Sequence, residues 1–166
     1  MLGIYTAWVM ENFRLVMFLL AVVMVLSHKL FLARRLPFVE IVYRWFILLP
    51  VGITALYAFA MNAFSPEFTA AMIGWQSSPF QFDAAMANLS VGVIAILSFH
   101  ASYGFRLATV LGNTIWLWGR AITQAYLMAA HYTFSLTNAG SWFWIDVSIP
   151  LILLLCIAGL RNTSRR

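Results

Sequence analysis

The segment LATVLGNTIWLWGRAITQAYLMAAH, residues 107–131, has the length of a bilayer crossing, yet it carries an arginine near its middle. Directly before it, Pro79 to Ser102 forms a second apolar run with no strong breaker between the two. One unbroken helix from Pro79 to His131 would be roughly 80 Å long at about 1.5 Å per residue. A hydrocarbon layer is only about 30 Å thick. The chain must therefore turn between the two runs, and Tyr103-Gly104-Phe105-Arg106 is the expected place. Whether the later run spans a membrane sets the number of crossings and what the arginine at position 120 must face.

The rest of the chain agrees with a membrane setting. Of its 166 residues, 63% are hydrophobic and 9% charged, far from soluble usage, and the mean hydropathy is +0.89. Five segments meet the requirement of about 20 mostly apolar residues: Tyr5–Leu32, Val39–Phe64, Pro79–Ser102, Leu107–His131 and Trp142–Leu160. The expectation is one all-α domain over residues 1–166, a bundle of five transmembrane helices, with a short helix near 66–73 between the second and third. The first residues show no cationic region ahead of an apolar run and no small-residue cleavage site, so they are read as mature sequence. Cys156 is the single cysteine, which excludes an intramolecular disulfide.

Charge sets the orientation. Ten Lys and Arg face five acids, for a net charge of +5. Lys29, Arg34, Arg35 and Arg44 flank the first connection, Arg106 marks the third, and Arg161, Arg165 and Arg166 end the chain. The second and fourth connections have none. By the positive-inside rule the N-terminus lies outside and the C-terminus in the cytoplasm, as in a bacterial inner (cytoplasmic) membrane protein. No basic stripe with interleaved exposed aromatics is present, so nucleic acid is excluded as a partner. The lipid bilayer is the expected partner, with a homo-oligomer or a larger membrane complex beyond it.

Within residues 107–131 and the turn before them, Arg106, Asn113, Arg120, Gln124 and His131 are spaced by seven, seven, four and seven. At about 100° per residue they fall in a sector of roughly 40°. A central arginine facing lipid costs about 2.5–3.5 kcal/mol or more, so the stripe must face protein or a hydrated cavity. Asp146, about one turn inside the fifth helix, is the favoured partner of Arg120. Glu40, four residues before Arg44, is read as an ordinary i,i+4 surface pair. Such a stripe either fixes helix register through a buried ion pair or holds an anion or gates a proton or ion path.

A second polar region is GWQSSPFQFD, Gly74 to Asp83. Ser65-Pro66-Glu67 and Ser78-Pro79-Phe80-Gln81 both have a cap residue followed by proline in the first helical turn. Gln81 lies three residues after Ser78 and completes a capping box. Capping leaves Trp75, Gln76, Asp83 and the deeper Asn88 unexplained. Ala84, Asn88, Gly92 and Ala95 form a small-residue face that lets another helix approach closely. The run Gly74 to Leu89 resembles G-W-Q-x-S-P-F-Q-F-[DE]-x-x-M-A-N-L, the signature of an uncharacterised bacterial family of small multi-pass membrane proteins, a domain of unknown function. That resemblance implies a membrane location and no activity.

No nucleophile with a paired base, phosphate loop or carboxylate pair is visible, so no catalytic residue is assigned, and no metal site or cofactor is predicted. His28 and His100, both near cytoplasmic helix ends, leave haem ligation open as an alternative to interfacial histidines bonded to backbone or headgroups. The preferred function is permeation of a small solute, ion or proton along a path formed by Arg120, Gln124, Asn113, Asp146, Asp83, Asn88, Gln81, Trp75 and Gln76. Alternatives are an accessory subunit with a dry stripe, or an enzyme acting on a lipid or quinone headgroup at the outer face.

Overall fold

The computed structural model describes residues 2–32, 36–73, 76–131 and 140–163. These form α1 (Leu2–Glu11), α2 (Phe13–Ser27) with a π-helical extension (His28–Leu32), and α3 (Phe38–Phe46). A π-helical segment (Ile47–Ile53) joins α3 to α4 (Thr54–Phe64), and α5 (Pro66–Ile73), α6 (Phe80–Ser98), α7 (Tyr103–His131) and α8 (Ser141–Thr163) follow. No strand occurs among the described residues. Helices satisfy their own backbone groups, which is what a chain this apolar needs in lipid.

Four helical stretches are long and apolar enough to cross a membrane: Phe13–Phe31, Phe38–Phe64, Phe80–Ser98 and Ser141–Arg161. α7, with 29 residues, is longer than any of these but less apolar, because its polar stripe lowers the average. The first expected span is divided: Asn12 interrupts the helix, its Nδ2 donating to the Trp8 carbonyl at 3.0 Å. The turn before α7 lies at Phe99–Ser102, just ahead of the expected Tyr103–Arg106. The π segment surrounds Pro50, which has no N–H and crowds the preceding turn, so the helix widens locally instead of breaking.

α4 and α6 pair closely, as do α7 and α8, while α8 also packs on α3 and α2. The small face of α6 does what its composition suggested. A Cβ on Gly92 would stand 2.8 Å from Leu56 Cδ2 and 3.2 Å from the Gly52 carbonyl oxygen, so any larger residue would force Leu56 aside and press on the Gly52 backbone. The core lies around α3, the π segment and α8, where Ile41, Tyr43, Ile47 and Leu153 are fully buried. Successive long helices reverse direction. One end of the bundle therefore holds the starts of α2, α6 and α8 and the ends of α4 and α7; we call it the Trp142 end, and the opposite one the Glu40 end.

Candidate functional site

The Glu40 end is closed by a buried ion cluster. Arg106, at the start of α7, donates to Glu40 Oε2 at 2.7 Å and to Oε1 at 3.0 Å. It also donates to the carbonyls of Ser98 at 3.3 Å and Phe99 at 2.9 Å. Arg44 adds a 2.6 Å bond to Glu40 Oε1. Beside them Tyr43, whose ring lies 4.8 Å beneath the Arg106 guanidinium, shares a 3.0 Å hydrogen bond with Ser98. The expectation for Glu40 is corrected here: it does pair with Arg44, but it is buried and its main role is a two-pronged clamp between α3 and α7. Bidentate guanidinium–carboxylate geometry is the strongest polar contact available to such a junction.

Nearer the Trp142 end lies a second cluster, centred on Asp146, which is 1% exposed. Arg14 Nη1 donates to both carboxylate oxygens, at 3.0 and 3.1 Å. Its guanidinium rests 4.7 Å from the Trp142 ring, and Trp142 Nε1 donates to the Glu11 carbonyl at 3.0 Å. Arg120 Nε approaches Asp146 Oδ2 at 3.5 Å, an ion pair without a hydrogen bond. The expected Arg120–Asp146 contact therefore exists, but Arg14 holds the carboxylate. Two guanidinium groups share one acid.

Arg120 opens onto a cleft of about 820 Å³. Residues of α1, α2, α4, α5, α6, α7 and the start of α8 line it, among them Glu11, Arg14, Asn88, Trp116, Arg120 and Gln124. Beneath it a cavity of about 30 Å³, large enough for a water, is lined by Arg14, Thr54, Asn88, Asn113, Arg120 and Asp146, among others. Asn113 Nδ2, Thr114 Oγ1 and Gln124 Oε1 are buried without a hydrogen-bond partner among the described residues.

The residues singled out from the sequence thus divide. Arg120, Gln124, Asn88, Gln81 and Gln76 line the cleft, while Asn113 and Asp146 line the small cavity. Asp83 is exposed on the first turn of α6 and lines neither. Trp75 and the His131 side chain fall outside the described residues. Gln81 behaves as a cap and tie: its Oε1 accepts from the Ser78 N–H at 3.3 Å and its Nε2 donates to the Pro66 carbonyl at 2.7 Å. His28 Nδ1 accepts from Trp45 at 3.1 Å. Among the described residues no group of three or more His, Cys, Asp or Glu side chains converges as metal ligands would.

Arg14 was the residue missed as a partner. The signal was present: Arg14 is the second residue of α2 and Asp146 the sixth of α8, both at the ends that antiparallel succession brings together.

The architecture is that of an all-helical protein with membrane-length apolar helices and an off-centre cleft floored by charge. The chain belongs to a family of unknown function, DUF6790, whose match covers residues 11–166. No curated protein and no solved structure matches it.

Proposed function

We propose that this is a five-span inner-membrane protein, N-terminus outside, that binds a solute bearing an anionic group in the cleft as the binding step of a permeation route. α7 is taken as the fifth span because Leu111, Ile115, Trp118, Ile122 and Tyr126, spaced by four, three, four and four, are all exposed opposite the polar stripe. An apolar exposed face behind a polar buried one suits lipid outside and protein inside.

The observation that carries the functional reading is a contrast within one helix face. Arg106 makes four hydrogen bonds to protein, two of them to Glu40. Arg120, two heptads later on the same face, makes none among the described residues, and its side chain is 27% exposed toward the cleft. An arginine with five donors in an apolar surrounding needs water or an anion. At the cleft floor Arg14, Arg120 and Asp146 leave one positive charge in excess, which favours an anion there, with the exposed Glu11 also on the cleft lining.

With the positive-inside orientation the cleft faces outward and the Glu40 cluster closes the cytoplasmic side. That arrangement suits a site exposed to one side at a time better than an open pore. The test is flux of chloride, acetate and lactate into proteoliposomes, measured for wild-type protein and Arg120→Leu. Loss of flux with a folded variant supports the proposal; equal flux in both overturns it. Orientation is checked separately in a Cys156→Ser background carrying Ser78→Cys, at an exposed position of the Trp142 end, which a membrane-impermeant thiol reagent should label from outside.

A further inference from the structure

The geometry points to a single-chain membrane amphiphile with a monoanionic headgroup as the occupant of the cleft, its head seated at Arg120; this rests on the anion-binding reading above. The first argument is the distribution of free hydrogen-bonding capacity. Six polar side chains of the cleft wall are turned back on the protein, while Gln124, whose buried Oε1 has no partner among the described residues, and the exposed Gln76 also line it. Thr54 donates to Leu49, Tyr57 to Met10, Asn62 to Ala58, Thr69 to Ser65, Thr123 to Gly119 and Trp142 to Glu11, all to carbonyl oxygens. The unspent donors converge on the floor: the Arg120 guanidinium and, in the adjoining small cavity, Asn113 Nδ2, on a side chain that is 4% exposed.

Size and wall chemistry supply the second argument. A cleft of about 820 Å³ lies within the range of about 300–1,000 Å³ typical of sites that enclose a drug-sized molecule. A bare inorganic anion would leave most of it unfilled. The walls are apolar and aromatic, with Met10, Met61, Trp116 and the stacked pair Phe13–Tyr57, ring centroids 4.0 Å apart. A ligand that fills them and satisfies Arg120 needs one charged end and an apolar body. At the floor Arg14, Arg120 and Asp146 leave one positive charge in excess, and with the exposed Glu11 also lining the cleft a monoanion such as a carboxylate is favoured over a dianionic phosphate.

Access is the third argument. α7 lies along α8 and stands apart from α4. On its cleft side a Cβ at Gly112 or Gly119 would meet nothing within 4 Å, and Ile115 between them is 76% exposed. The α7 edge is therefore open toward the surrounding lipid, where such a molecule resides.

The test uses full-length protein in phosphatidylcholine nanodiscs, with palmitate as probe and hexadecanol, acetate and inorganic phosphate as comparators. Saturable palmitate binding is expected, at least tenfold weaker for hexadecanol and at least a hundredfold weaker for acetate and phosphate. Arg120→Gln should weaken palmitate at least tenfold. Gly119→Trp, at a position with open space, should block palmitate while leaving the helical signal intact. As a measurement without a variant, a diazirine-bearing palmitate should cross-link to cleft residues of α4, α6 and α7 in wild-type protein. Labelling confined to the outward faces of the helices overturns the proposal, as does palmitate binding that is equal in wild type and Arg120→Gln. Acetate or phosphate bound as tightly as palmitate, and lost in Arg120→Gln, overturns the amphiphile and leaves the anion site standing. If none of the four binds, both fall.

Discussion

Arg120 and Asp146 are neighbours of opposite charge, yet their removal should move stability in opposite directions. Asp146→Asn takes away the charge and one of the two oxygens that accept from Arg14, and with them the only carboxylate within ion-pair distance of Arg120 among the described residues. Removing one partner of a buried pair costs about 3–5 kcal/mol. The Arg14 and Arg120 side chains are 13% and 27% exposed, so both guanidiniums can draw water from the cleft. The lower bound, about 3 kcal/mol, is therefore expected. Arg120→Leu removes a cation that has no hydrogen bond to lose and that shares its counter-ion with Arg14. It should be neutral or stabilising, by up to about 1–3 kcal/mol, as when an incompletely satisfied buried charge gives way to hydrocarbon. Reversible unfolding in mixed micelles, followed by far-ultraviolet circular dichroism, measures both variants. A double-mutant cycle should give a larger coupling for Arg14 with Asp146 than for Arg120 with Asp146. The reasoning is refuted if Arg120→Leu loses more than about 1 kcal/mol while Asp146→Asn loses less than about 0.5 kcal/mol, since surface-like effects are of that size.

Other variants separate the remaining devices. Glu40→Gln should destabilise by about 3–5 kcal/mol, because it strands both Arg106 and Arg44, and the same unfolding measurement reads it. Tyr43→Phe should cost about 0.5–1.5 kcal/mol, since Ser98 keeps its 2.9 Å bond to the Ala95 carbonyl. Gly92→Ala should lose about 1–3 kcal/mol from the clash with Leu56, whereas Gly119→Ala, with open space, should be neutral or gain about 0.5–1 kcal/mol. Asn113→Leu should leave stability unchanged or higher, because a buried donor without a partner disappears.

Much of the fold was legible because its signals are local. Apolar run length located four helical stretches long and apolar enough to cross a membrane, Pro66 and Ser65 marked α5, and the Gly92 face announced a close helix contact. The start of α7, expected as the fourth span, shifted because helix start signals are weak where both flanks are apolar: the helix begins at Tyr103, before the polar stripe. Asn12 broke the first span because an asparagine that bonds its own helix competes with the backbone there.

The site was legible only in part, and the reason is physical. Periodicity places Arg106, Asn113, Arg120 and Gln124 on one face, because it depends on one helix alone. Which of them finds a partner depends on the depth and facing of acids on other helices. Only five acids exist in the chain, and helix order matters less than which helix ends meet. Glu40 lies two residues into α3, level with the start of α7, and so it goes to Arg106. Asp146 is level with the start of α2 as well as with the later half of α7, and Arg14 takes its hydrogen-bonding capacity first.

Arg120 is what remains after those two matches, and that residue of charge is informative. A bundle needing only register would be served by the Glu40–Arg106 and Asp146–Arg14 pairs, each of which joins two helices distant in sequence. A further guanidinium at the floor of a cleft adds a desolvation cost and no hydrogen bond to protein. Its cost becomes intelligible if something outside the chain supplies the acceptor. Two arginines fourteen residues apart on one face, one with four hydrogen bonds to protein and one with none among the described residues, are the contrast on which the proposed ligand site rests.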